Sequence, residues 1–159
     1  MSIKLLIADE PTTALDVTTQ AQILDLMLEL KDSQVGASII LITHDLAVVA
    51  ETCDRVVVMY GGKVQEIGTV EQIFYQAKHP YTRGLLSSLP SIQTHSTDRL
   101  HTIPGNVPSI TQMPEGCKFC TRCEDVLDRC REEEPSLDDS GDGHWVRCHL
   151  MNEDFVTDV

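Results

Sequence analysis

Over the first 68 residues the chain alternates short continuous apolar runs with helix-period stripes. Leu5-Leu6-Ile7-Ala8 is unbroken apolar sequence, the pattern of a strand buried on both faces of a parallel sheet. Pro11 stops it, and Asp16 is well placed to cap a following helix. In that helix Ala21, Leu24 and Leu28 share one face, which Ile23, Met27 and Leu30 widen, so it can cover a sheet. Gly36 closes the connection, and Ser38-Ile39-Ile40-Leu41-Ile42 reads as a second buried strand. The strand–helix–strand unit is expected to be parallel and right-handed. Residues 45–53 then predict a short helix. Residues 55–60 and 63–68 predict a β-hairpin turning at Gly61-Gly62, a pair suited to positive φ. Short helices follow over about 70–76 and 81–88. Periodicity fades over residues 91–115, where Pro104, Gly105, Pro108 and Pro114 mark a long connector. A cysteine-rich segment comes next, the tail after His149 carries no strong packing signal, and no internal repeat is visible.

Composition narrows the class. A chain of 159 residues suits one ordinary domain, or part of a domain with an extension. A hydrophobic content of 42% excludes wholesale disorder. No run approaches the roughly 18 apolar residues of a membrane span, and Asp9 and Glu10 arrive too early for the apolar core of a signal peptide. The expectation is a cytoplasmic chain, soluble if isolated, with any membrane association made through a partner. The net charge of −13, without a basic stripe, argues against nucleic acid. Of six cysteines, five fall between Cys117 and Cys148; in a reducing compartment that cluster points to a metal rather than to disulfides. Cys53 is expected to be buried packing.

Asp9 and Glu10 stand where the first buried strand ends, the edge at which open parallel sheets place ligand chemistry. One acid there can hold Mg²⁺ through water while its neighbour orients or deprotonates an attacking water. His44 ends the neighbouring parallel strand, and a histidine there can hydrogen-bond a terminal phosphate as charge develops on it. Asp16 and Asp45 also have a purely local role, as helix N-caps.

In order along the chain, these segments resemble the ATP-binding-cassette ATPases. Leu5-Leu6-Ile7-Ala8-Asp9-Glu10-Pro11 resembles their Walker B strand, Thr12-Thr13-Ala14-Leu15-Asp16 their D-loop, and Ile42-Thr43-His44-Asp45 their switch-histidine loop. The resemblance implies a partial P-loop NTPase sheet of α/β class, in which Asp9 holds Mg²⁺, Glu10 is the general base and His44 senses the γ-phosphate of ATP. Ala14, Leu15 and Asp16 would lie at the interface with a second ATPase subunit. The Gly-rich phosphate loop, glutamine loop and signature of a full member do not occur in this sequence, so the chain alone is expected not to hydrolyse ATP. The apolar faces of its two strands are likewise expected to be incompletely covered.

In the second half, Cys117, Cys120 and Cys123 are each separated by two residues, with Cys130 and Cys148 beyond them. Thiolates so spaced suit Zn²⁺ or an iron–sulfur cluster. The run imitates the opening of a ferredoxin motif, but Cys130 comes too late and precedes Arg131 rather than proline. His144 and His149 are possible substitute ligands but are expected to be exposed or capping residues. The segment is short of the aromatic and aliphatic residues needed for a core of its own.

A second resemblance covers this half. His79-Pro80-Tyr81-Thr82, Leu85-Leu86-Ser87-Ser88-Leu89-Pro90, Ile103-Pro104-Gly105-Asn106-Val107-Pro108 and the cysteine module resemble the C-terminal extension of oligopeptide and dipeptide importer ATPases. It implies domains at 1–77 (ATPase) and 78–159 (irregular cysteine-rich extension), and a [4Fe–4S] cluster on Cys117, Cys123, Cys130 and Cys148, with Cys120 outside the family pattern. It also implies a subunit energising peptide import at the cytoplasmic face of the membrane, with transmembrane permease subunits and, indirectly, a solute-binding protein as partners. Two alternatives stay open: import of nickel or another small solute, and a non-enzymatic iron–sulfur or zinc-binding regulator.

Overall fold

The structure, a computed structural model, describes residues 4–32, 37–89 and 102–151. It divides into two compact units, Met1–Cys53 and Asp54–Val159. The expected boundary at 77/78 therefore lies inside the second unit.

In the first unit, β1 (Leu5–Asp9) and β2 (Ser38–Ile42) pair in parallel, with Leu5 opposite Ser38 and Asp9 opposite Ile42. The connection between them includes α1 (Val17–Asp32), and α2 (Leu46–Thr52) follows β2. Asp16 starts α1 as expected, accepting both the amide and the hydroxyl of Thr19 at 3.0 and 2.7 Å. Asp45 caps α2 by accepting the amides of Ala47 and Val48. The buried apolar residues here are Met27, Ala37, Val48 and Val49.

Two expectations need correction in this unit. Ala21 is exposed, and the inward stripe of α1 runs through Ile23, Leu24, Met27 and Leu28 instead. The strands are not buried on both faces. Leu6, Ala8, Ile39 and Leu41 are half-buried, whereas Ile7 is 61% and Ile40 48% exposed on the opposite face. That bare face agrees with the expected incomplete cover, because α1 and α2 cannot shield both sides of a two-stranded sheet.

The second unit begins with the hairpin β3 (Arg55–Tyr60) and β4 (Lys63–Thr69), turned at Gly61 and Gly62 with φ of 58° and 75°. Short helices α3 (Val70–Gln76) and α4 (Pro80–Ser87) follow. Thr69 and Gln72 form a reciprocal capping box on α3. His79 caps α4 through Nδ1, which accepts the Tyr81 amide at 3.0 Å. Beyond a short helix α5 (Arg129–Glu132), β5 (Asp138–Asp139) and β6 (Trp145–Val146) extend the hairpin to an antiparallel sheet of order β3-β4-β6-β5.

The cysteine-rich segment has no separate core. Cys117, Phe119, Cys120 and Cys130 pack with Tyr60 of β3, and Tyr81, Ile103, Val126 and Leu127 close around them. Tyr60 lies 4.7 Å from the Tyr81 ring and 5.3 Å, edge-on, from Phe119. The hairpin and α4 thus provide the aromatic surface that the extension's own composition lacks. Gly116 permits this closure: a Cβ there would fall 2.4 Å from the Cys130 carbonyl oxygen.

The histidines also depart from expectation, since His144 and His149 are both buried. His149 Nε2 meets the Glu133 carbonyl at 3.0 Å. His144 Nε2 is 2.7 Å from Glu66 Oε1, and Glu66 is fully buried in mid-strand. That carboxylate also accepts the amides of Lys78 and His79, at 2.8 and 3.2 Å. One buried acid therefore ties β4, the turn before α4 and the segment leading into β6. Cys53, expected to be buried, is half-buried beside the Thr52 hydroxyl. The connector residues 90–101 and the tail from 152 lie outside the described residues.

Candidate functional sites

The backbone bends sharply where β1 ends. The Glu10 amide makes one more bond to β2, to the Ile42 carbonyl at 2.8 Å, and Glu10 then adopts φ of 44°. Ala14 also has a left-handed φ, of 65°. Such conformations are costly for residues with a Cβ and concentrate at functional turns. The turn is closed by the Thr13 amide on the Glu10 carbonyl and the Leu15 amide on that of Thr12, at 3.1 and 3.2 Å.

This bend aims the Glu10 carboxylate at His44. Oε2 accepts the Thr13 hydroxyl at 2.9 Å, and Oε1 lies 3.1 Å from His44 Nδ1. The Thr13 hydrogen bond, then that of His44, hold the carboxyl below the usual glutamate range. Glu10 is therefore ionised at neutral pH, as a proton acceptor must be. The pair faces solvent, with His44 79% and Glu10 47% exposed. The His44 loop is itself fixed: the Asp45 amide donates to the Thr43 hydroxyl, and Gln20 of α1 reaches Asp45 at 3.3 Å.

Asp9 ends β1 directly opposite Ile42 and is exposed, open to a cation. Ala14 and Leu15 are exposed next to it in the turn. Asp16 is engaged with Thr19, whose hydroxyl is the leading cause that lowers its pKa, so its carboxylate is spoken for as a cap.

The second grouping is the cysteines. All six are free thiols, and Cys117, Cys120, Cys130 and Cys148 are buried with Cys123 half-buried. Burial pushes Cys117 up to about 11 and Cys123 up to about 12, and raises Cys120 and Cys148. Buried neutral thiols of this kind are unreactive until a cation stabilises the thiolate.

After burial, which comes first, neighbouring thiols raise these groups further: Cys130, Cys148 and Cys120 act on Cys117, Cys148 and Cys117 on Cys123, and Cys130 on Cys148. Among the described residues, no group of three or more His, Cys, Asp or Glu side chains is arranged to hold a metal ion.

Residues that pattern reading missed include Glu66, the His79 cap and the ion pair of Arg83 with Asp125. The visible signal was Gln65-Glu66, two polar residues in mid-strand where alternation permits one to face inward.

A family model described as the oligopeptide/dipeptide transporter, C-terminal region, matches residues 65–130. The oligopeptide transport ATP-binding protein AppD of Bacillus subtilis (strain 168) is 52% identical over 151 residues, covering 95% of this chain and 45% of that protein. The oligopeptide transport ATP-binding protein OppD of the same organism is 50% identical, covering 95% of this chain and 42% of that protein. The dipeptide transport ATP-binding protein DppD of Escherichia coli (strain K12) is 49% identical, covering 95% and 46%. The chain thus spans a little under half the length of these curated relatives. Among the described residues no helix is long and apolar enough to cross a membrane.

Proposed function

Because the chain is the C-terminal portion of a peptide ABC-transporter ATP-binding subunit, we propose that it provides the water-activating half of an ATP-hydrolysing site that energises peptide import. The observation that carries this reading is the Glu10 carboxylate, held by Thr13 and facing His44 at the end of β1.

In this reading Glu10 takes the proton of the water that attacks the terminal phosphoryl group. Two hydrogen bonds fix its direction beforehand, so little reorganisation is needed during the step. His44 hydrogen-bonds a phosphate oxygen; only the doubly protonated ring can donate to Glu10 and to phosphate at once. Asp9 holds Mg²⁺ through water, and the ion offsets charge on the phosphates. Ala14 and Leu15, exposed in the strained turn, face a second ATPase subunit, while Asp16 fixes that turn to α1. The rest of the longer protein brings the phosphate-binding loop and signature. Attachment to the membrane is through permease subunits, and a solute-binding protein selects the peptide.

The cysteine module, in the same reading, holds a [4Fe–4S] cluster through Cys117, Cys123, Cys130 and Cys148, which ties the acidic extension to the hairpin. What supports this is that Cys117 and Cys130 are buried in one cluster with Cys123 packed against it, and that Cys148 is buried as well. When bound, the cluster supplies four iron–thiolate cross-links and one-electron redox chemistry.

The direct test uses the full-length subunit with its partner ATPase. Glu10→Gln should abolish turnover while nucleotide still binds, giving a trapped closed dimer. Hydrolysis at a near-parental rate would remove Glu10 from the role of base.

A further inference from the structure

The second unit contains a cleft whose described lining includes none of the Walker B, D-loop or switch-histidine residues and no cysteine. It encloses about 420 Å³, within the roughly 300–1,000 Å³ of small-molecule sites. Pro80, Arg83, Gly84 and Ser87 of α4 form one side, and their i, i+3, i+4, i+7 spacing puts them on one helix face. Arg122, Glu124 and Asp125 line the cleft from the cysteine segment, while Phe119, Ile103 and Pro104 give it apolar surface.

The cleft is preorganised. Arg122 donates Nε to the Pro104 carbonyl at 2.9 Å and Nη2 to that of Ile103 at 3.0 Å, which pins this segment to the cysteine segment. Those bonds use two of the five N–H groups of its guanidinium. Ile103 in turn lies on α4, where a Cβ added at Gly84 would meet its Cγ1 at 2.8 Å. Arg83 Nη2 and Asp125 Oδ2 meet at 2.5 Å and join the two sides, with side chains 51% and 49% exposed. An ion pair this exposed contributes little, so a ligand that offers each member a new partner can part it at small cost.

The charges select the ligand. A lone anion in the cleft meets Glu124 and Asp125, and a lone cation meets Arg83 and Arg122. The chain's net charge of −13 opposes anions further. A ligand with both charges on a short apolar body avoids both penalties. We propose that the cleft binds a small zwitterion, an amino acid or a short peptide. Its carboxylate replaces Asp125 on Arg83, its ammonium takes Asp125, and its apolar side chain packs against Phe119 and Ile103. Neither the ATPase reading nor the cluster reading is needed for this.

The test titrates the full chain with leucine and with leucyl-leucine by isothermal calorimetry. Beside them run N-acetylleucine, which lacks the ammonium, and leucinamide, which lacks the carboxylate. Saturable binding in the millimolar range or tighter is expected for at least one zwitterion, with about tenfold or greater loss for both capped forms. Tighter leucyl-leucine assigns the cleft to short peptides, and tighter leucine to amino acids. Arg83→Gln and Asp125→Asn should each weaken binding by about tenfold. Ser87→Trp, which fills the cleft from an exposed helix position, should abolish binding with the ion pair intact. No saturable binding of either zwitterion up to about 10 mM, or equal binding of either capped form, would overturn the proposal. So would parental affinity in Ser87→Trp or in both charge variants. Should a variant fail to fold, amide NMR shifts of the parent locate the ligand. Changes at Arg83 and Asp125 on adding the zwitterion sustain the assignment, and changes confined elsewhere overturn it.

Discussion

Single side chains account for the proposed chemistry. The Glu10 carboxyl is kept low chiefly by the Thr13 hydroxyl and secondly by His44, so its ionisation depends on a neighbour three residues away. Thr13→Val in the full-length subunit should raise the Glu10 pKa toward the ordinary glutamate value. A base is lost when it is protonated, so the acid limb of the ATPase pH profile should move to higher pH while the plateau changes less. An unmoved acid limb would show that Thr13 does not tune this carboxyl. The cysteines make a second residue-level case. Cys120 is buried in one cluster with Tyr60, Phe119 and Cys130, and its pKa is raised first by burial. Cys120→Ser should keep about four irons per chain after anaerobic reconstitution, whereas Cys117→Ser or Cys148→Ser should lose them. Stoichiometric zinc without iron or sulfide in the parent would replace the cluster reading with a zinc one.

Between elements, buried polar contacts join the second unit alongside its aromatic cluster. His79 caps α4 with one ring nitrogen and offers its amide to Glu66. Desolvation, with the nearby Arg83 charge second, lowers its pKa from 6.5 to about 4. The folded chain then resists a proton that the unfolded chain accepts. Stability should therefore be full above pH 6.5 and fall as pH drops to about 4, by about 3 kcal/mol in all, with no further loss from this group below that. Urea unfolding of the full chain across this window, compared with His79→Asn, which can still cap the helix, isolates the contribution. Equal slopes in the two proteins would contradict it. Gly116 makes a steric rather than electrostatic link. Since an added Cβ would meet the Cys130 carbonyl oxygen at 2.4 Å, Gly116→Ala should destabilise the cysteine module by about 2 kcal/mol or more. Unfolding midpoints and iron retention would report it.

At the scale of the molecule, the first unit carries Glu10 and His44 at the ends of a two-stranded sheet with one bare apolar face. Leu5, Ile7, Ile40 and Ile42 are all at least 48% exposed on it. Apolar area of that kind is normally covered in a folded protein. The isolated chain should show no ATP hydrolysis above background, because Glu10 has no held phosphate to act on. Mg²⁺-dependent turnover by the isolated chain, lost in Glu10→Gln, would contradict that. In the full-length subunit, Ile7→Asp should cost far more stability than in the isolated chain, where this side chain already meets water.

The sequence by itself determined the parallel strand pair, the hairpin, the helix caps at Asp16 and Asp45, and the placing of Glu10 and His44 at adjacent strand ends. Each of these follows from local periodicity, turn chemistry or the fixed geometry of a strand–helix–strand crossover, and none depends on a residue far away in the chain. The tertiary structure alone decided the rest. Tyr60 and Tyr81 supply the cysteine segment's core, Glu66 gathers His144 and the turn before α4, and β6 pairs with β4 from nearly 80 residues away. Polar residues such as Glu66 and His144 look like surface when read singly. Burial becomes favourable for them only once three donors converge on one carboxylate, and that convergence is a property of the folded chain.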